Sequence, residues 1–178
     1  PPSQDLFQAI DARNITLVHQ LIAQGADVNQ RTPEGATPLH FAARLGQIPL
    51  TQLLLDEGAD IHATYQSLWT PLHLAAKGGH VDVARLLLKN TAMVSGMDNT
   101  ISPLHIAVQE GHLRMAAFLL ANGASVHIPF KEGWTALHLA AQAGNTDLTR
   151  LLLDAGAPID ATNTIGLTPL HSAALAGH

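Results

Sequence analysis

Histidine is the side chain in this 178-residue sequence best placed to do chemistry, with eleven copies against a single tyrosine and no cysteine. Imidazole ligates transition metals and exchanges protons near neutral pH. Five of the eleven share one context: Thr37-Pro38-Leu39-His40 recurs as Thr70-Pro71-Leu72-His73, Ser102-Pro103-Leu104-His105, Thr135-Ala136-Leu137-His138 and Thr168-Pro169-Leu170-His171, at steps of 33, 32, 33 and 33 residues. One imidazole per step is the wrong arrangement for a metal. Helices packed side by side lie about 8–10 Å apart, whereas zinc needs its ligand nitrogens about 2 Å from one ion. His80, His112 and His178 each follow a glycine, where a polar residue is expected to cap the next helix. Other chemistry is equally thin. Serines and threonines are scattered, with no nucleophile-elbow sequence. Lys77-Gly78-Gly79-His80 lacks the spacing of a phosphate loop, and Asp56, Glu57 and Asp154 do not pair as acid and base. Absent cysteine excludes disulfides, thiolate zinc sites and a cysteine nucleophile. The residues point to a protein without catalysis, metal or cofactor.

The elements around the tetrapeptide follow from local chemistry. Thr37 is a good N-cap, and Pro38 falls at the first helical position, where its missing N–H costs nothing. Leu39, Ala42 and Ala43 give one apolar face, and Gly46 ends the short helix. A second helix is expected from about Ile48, with Leu50, Leu53 and Leu54 on one buried face. Gly58 closes it in the left-handed conformation. About a dozen residues then separate Gly58 from Thr70, enough for an extended, hairpin-like loop.

Composition narrows the partners. Aromatics make up only 4% of the chain, and Leu and Ala dominate, which suits closely packed helices. The formal net charge is −5 with no lysine or arginine cluster, so neither nucleic acid nor an acidic membrane surface is the expected partner. No apolar run approaches the roughly 20 residues of a membrane-spanning helix. An intracellular setting is expected, cytoplasmic or nuclear.

Each tetrapeptide leads to an alanine pair, a glycine, an apolar triplet such as Leu86-Leu87-Leu88, and then a segment like Gly25-Ala26-Asp27-Val28-Asn29. This combination resembles the ankyrin repeat over essentially the whole chain. The resemblance implies an all-α solenoid of stacked helix-turn-helix units with short β-hairpin-like fingers. It divides a single domain, 1–178, into repeats 4–36, 37–69, 70–101, 102–134 and 135–167, with a partial repeat at 168–178. In the first, Gln4-Asp5-Leu6-Phe7 replaces the tetrapeptide. By the same resemblance, the tetrapeptide histidines tie the first turn to neighbouring backbone. The chain stops at Gly177-His178, where a second helix should begin, so further repeats are expected beyond it and the last complete repeat is only half covered.

The third repeat departs from the pattern. Thr91 stands in place of the closing glycine, Met93 and Ser95 replace Asp and Asn, and the finger is one residue short. A β-branched residue at positive φ costs about 1–2 kcal/mol; either Thr91 or Asn90 must take that conformation. This junction is expected to be the softest in the array.

In ankyrin proteins the finger tips and the exposed side of the first helix form a concave binding groove. The resemblance places there Arg31 and Glu34 from finger one, Tyr65, Gln66 and Trp69 from finger two, and Met97, Asn99 and Ile101 from finger three. Phe130, Lys131, Glu132 and Trp134 come from finger four, Ile165 and Leu167 from finger five, and Arg44, Lys77, Glu110 and Gln142 from the first helices. The residue before each tetrapeptide (Ala36, Trp69, Ile101, Trp134, Leu167) should line up as an apolar stripe holding both tryptophans. It would serve either as partner contacts or as packing between fingers. Asn29 also matches the asparagine that an intracellular asparaginyl hydroxylase modifies in many ankyrin proteins. The expected function is recognition of a partner protein or peptide by a monomer, itself part of a longer repeat array. Alternatives are a targeting or adaptor region of a larger enzyme, ubiquitin-ligase or kinase assembly, and a structural spacer.

Overall fold

The computed structural model describes residues 2–66, 68–95 and 100–178. Within them the chain is all-α, with eleven helices: α1 (Pro2–Asp11), α2 (Ile15–Ala23), α3 (Pro38–Arg44), α4 (Ile48–Asp56), α5 (Pro71–Lys77), α6 (Val81–Lys89), α7 (Pro103–Gln109), α8 (Leu113–Ala121), α9 (Ala136–Gln142), α10 (Thr146–Asp154) and α11 (Pro169–Ala176). The backbone forms two compact units, residues 1–93 and 94–178. In the first, α1 packs on α3 and α3 on α5, while α2 packs on α4 and α4 on α6. In the second, α7 packs on α9 and α9 on α11, with α8 against α10. Each unit is therefore a row of helix pairs in which first helices touch first helices and second helices touch second.

The tetrapeptide builds the short helices as its chemistry requires. Thr37 is extended at the N-cap of α3, Pro38 opens the helix, and Leu39, Ala42 and Ala43 are fully buried. Small alanines let neighbouring first helices approach closely. The second helices bury the expected stripe with its centre shifted from Leu53 toward Thr51. In α4 the buried residues are Leu50, Thr51 and Leu54, and Leu53 is only half-buried. The apolar triplets bury only their middle members, Leu54, Leu87 and Leu152, because residues one apart point about 100° away from each other on a helix. Thr51 tolerates burial because its hydroxyl donates to the Gln47 carbonyl at 2.8 Å.

Fingers are hairpin-like only in a minimal sense. Fingers two and four each close through a single antiparallel bridge, Tyr65 with Trp69 and Phe130 with Trp134, and no strand forms among the described residues. Finger one closes by Thr32 N–H to the Ala36 carbonyl at 2.9 Å, and finger five by Asn163 N–H to the Leu167 carbonyl at 2.9 Å. Of the two residues able to take positive φ after α6, Thr91 does so, at 71°, and Asn90 does not. On the second unit an apolar surface stays open. Leu153, Ile159 and Leu170 border a cleft of about 740 Å³ beside α10 and α11, and Leu170 is 77% exposed.

Candidate functional site

The tetrapeptide histidines fix where the fingers sit. Nδ1 of His40 accepts from the Thr37 N–H at 3.1 Å, and its Nε2 meets the Trp69 carbonyl at 3.1 Å. His138 repeats this with Thr135 and, at 3.0 Å, with the Leu167 carbonyl. His40 and His138 thus each join the start of a first helix to the finger that ends the same repeat. His105 breaks the series: its Nε2 is buried without a hydrogen-bond partner, and its ring lies 4.9 Å from that of Phe130. Burial pulls both His40 and His105 down to a pKa of about 4. For His105 the Ile128 backbone, outside hydrogen-bond geometry, opposes that shift in part. Among the described residues no three His, Asp or Glu side chains converge as metal ligands.

His80 has a different task from the capping role expected of it. Its side chain makes no cap bond; instead Nε2 donates to the Arg44 carbonyl at 3.1 Å, across to the preceding repeat. A Cβ on Gly46 would meet this ring at 2.6 Å, and one on Gly78 would overlap it. In the second unit, Asn145 holds the corresponding position and caps its own helix, accepting from Leu148 N–H at 3.0 Å. Gly111, one repeat earlier, has open space around it.

On the first unit, five of the expected binding residues come together. Arg44, Tyr65, Gln66, Trp69 and Lys77 line a cleft of about 500 Å³, with Leu74 and Gly78 completing it. A smaller hollow of about 180 Å³, bordered by Glu34, Phe41 and Tyr65, adjoins it through shared Arg44, Tyr65, Gln66 and Leu74. The Trp69 ring stacks on His73 at 6.0 Å between centroids, and the Lys77 ammonium lies 5.6 Å from the indole centroid. Tyr65 stands edge-on to His40 at 4.9 Å. Burial raises the pKa of its phenol, with Arg44 opposing. Arg44 pairs with Asp11 at 3.1 Å, yet about half of each side chain stays exposed.

Arg31 and Asn29 are structural ties as well as surface residues. Arg31 Nη1 donates to the Gly35 carbonyl at 3.1 Å and the Thr64 carbonyl at 2.9 Å, joining fingers one and two. The Asn29 amide donates to the Gly58 carbonyl at 3.0 Å and accepts from Asp60 N–H at 2.7 Å. In the second unit Lys131, Glu132, Glu110 and Gln142 are exposed, while Ile101, Phe130, Trp134 and Leu167 are half-buried. Trp134 lies 5.6 Å from His138, and Ile165 is 76% exposed. Finger four leans closely on finger five: a Cβ on Gly133 would meet Asn163 Cα at 3.0 Å. Met97 and Asn99 lie outside the described residues. Within the first unit Ala36 is buried and Trp69 half-exposed, so the apolar stripe presents its tryptophan and not its alanine.

Sequence reasoning passed over Leu68 and Leu74. Leu74 floors the cleft. Leu68 is 45% exposed at a φ of 65°. Alignment of the fingers would have flagged it, because Gly35, Gly133 and Gly166 hold the same place in fingers one, four and five.

No curated protein sequence matches the chain. A family model described as ankyrin repeats matches three times, over residues 6–98, 49–130 and 104–178, which together span the length of the helical array. With the capped tetrapeptides, paired helices and bridged fingers in register beneath those matches, the chain belongs to the ankyrin-repeat family.

Proposed function

We propose that this chain recognises a partner protein, without catalysis of its own, through the finger and first-helix face of its first unit. Ankyrin repeats are generally protein–protein interaction modules, and the cleft beneath finger two is the observation that carries the reading here. It offers a half-exposed tryptophan, a tyrosine and two cations around an open volume of about 500 Å³. Tryptophan, tyrosine and arginine are the side chains that most often dominate interface energies. Preformed geometry limits the ordering entropy lost on binding.

The competing reading, that Trp69 serves only to hold finger two, is weakened by where its ties run. The bonds to His40 and Tyr65 use the Trp69 backbone, so truncating the indole leaves them in place. The test is cross-linking capture with wild-type and Trp69→Ala chains, compared by quantitative mass spectrometry, with circular dichroism to show both are folded. Partners recovered by the wild type and lost by a folded Trp69→Ala chain support the reading. A folded variant that retains every partner overturns it.

A further inference from the structure

Finger two lacks the glycine that fingers one, four and five place just before their closing residue. Gly35, Gly133 and Gly166 hold φ values of 92°, 78° and 78° just before the residue that closes their fingers, and Leu68 holds 65°. Gln66 in the same finger is also positive, at 31°. Glycine reaches this region freely, whereas an L side chain is strained there. Leu68 is 45% exposed, so nearly half of its surface is left for a ligand to cover. Strain of this kind concentrates at ligand clamps, where the surrounding structure holds it.

The cleft under that finger has a charge bias. Its two charged lining residues, Arg44 and Lys77, are both cations, in a chain of net charge −5. The exposed Arg44–Asp11 pair is of the kind that contributes little and is readily rearranged. Apolar surface from Tyr65, Trp69 and Leu74 lies between the two cations. Resting on the protein-binding reading above, we infer that the cleft takes an extended partner segment in which carboxylates flank one large apolar side chain. The apolar group enters against Tyr65 and Trp69 under Leu68, and the carboxylates meet Lys77 and Arg44. Leu68 is the specificity-determining contact, kept despite its backbone.

Selection of a random dodecamer phage library on the whole chain, counter-selected on Trp69→Ala, tests this. Enriched peptides are then synthesised and titrated by calorimetry. The expected peptides carry Asp or Glu beside one Leu, Ile, Phe or Trp, and Lys77→Glu weakens them by roughly tenfold or more. Leu68→Gly lowers affinity by more than any change in its unfolding midpoint accounts for, a result that a purely structural leucine would not give. Trp69-dependent peptides without acidic residues, or equal affinity for Leu68→Gly, overturn the inference and leave protein binding intact. Recovery of no Trp69-dependent peptide also overturns it; the broader reading falls only if the capture experiment likewise finds no Trp69-dependent partner.

Discussion

Nε2 of His40 and the carbonyl of Trp69 meet at 3.1 Å, and that contact fixes the protonation state of the imidazole. A carbonyl only accepts, so Nε2 carries the proton. The Thr37 amide only donates, so Nδ1 must be bare to receive it at 3.1 Å. Charging the ring would put a second proton where the Thr37 N–H already points. Burial and the Thr37 amide act in the direction of the lowered pKa, and the Trp69 carbonyl opposes them in part.

Stability should consequently fall on mild acidification. His40 and His105 titrate at about 4 in the fold against 6.5 when unfolded. Between those values the unfolded chain binds more protons, so stability is fully present above pH 6.5 and declines as pH drops toward 4. The ceiling is on the order of 3 kcal/mol per imidazole. Urea midpoints measured at several pH values across that window would show the decline, and a flat profile in the His40→Gln, His105→Gln double variant would assign it. An unchanged midpoint in the wild type would contradict the assignment.

Thr91 carries avoidable strain. Gly25, Gly58, Gly123 and Gly156 close their second helices at φ between 85° and 94°, and Thr91 does the same work at 71°. Thr91→Gly relieves about 1–2 kcal/mol of backbone strain and returns up to about 1 kcal/mol through the looser unfolded chain. The net expectation is a modestly higher thermal midpoint. An equal or lower midpoint refutes the strain.

The repeat was legible because each copy carries its own instructions: a cap, a proline at the first turn, an alanine face and a closing glycine. Those signals act over a few residues, and sequence displays them directly. Contacts between residues far apart in sequence were legible only where they recur as a motif, as with His40 and its finger. Arg31 reaching Thr64, and His80 reaching the Arg44 carbonyl, depend on how one helix pair rests on the next. Helical periodicity gave the buried stripe but not its centre, which is why Leu53 was assigned to the core and Thr51 was not. Leu68 was visible in principle; only the comparison with glycines in other fingers gives it meaning.

Gly78 offers a sign-changing test of the His80 contact. Its φ of −84° suits any residue, so alanine there should be harmless or mildly stabilising on backbone grounds. The obstacle is the His80 ring, which occupies the space a Cβ would need. Gly78→Ala should therefore destabilise the wild type by driving the imidazole off the Arg44 carbonyl. In a His80→Ala background the same change should become neutral or favourable, a coupling of about 0.5–3 kcal/mol. Identical effects in the two backgrounds would show that the ring and the glycine are independent.

Asn29 is proposed as a hydroxylation site, and its geometry sets a condition on that modification. Both ends of its amide are engaged across the repeat boundary, at Gly58 and Asp60. An enzyme that must take the side chain into its own active site has to break these bonds first. Asn29→Ala should lower stability by about 1–3 kcal/mol, the cost of leaving the Asp60 N–H and the Gly58 carbonyl without their protein partner, toward the low end because water reaches both. Modification should accordingly be faster in chains whose first repeat is loosened, for example by Arg31→Ala, which removes a second tie between the same repeats. Intact-mass analysis after incubation with an asparaginyl hydroxylase reads this out. One added oxygen, gained sooner by Arg31→Ala than by the wild type and never by Asn29→Ala, is the expected pattern; no mass gain in any of the three would remove Asn29 as a target.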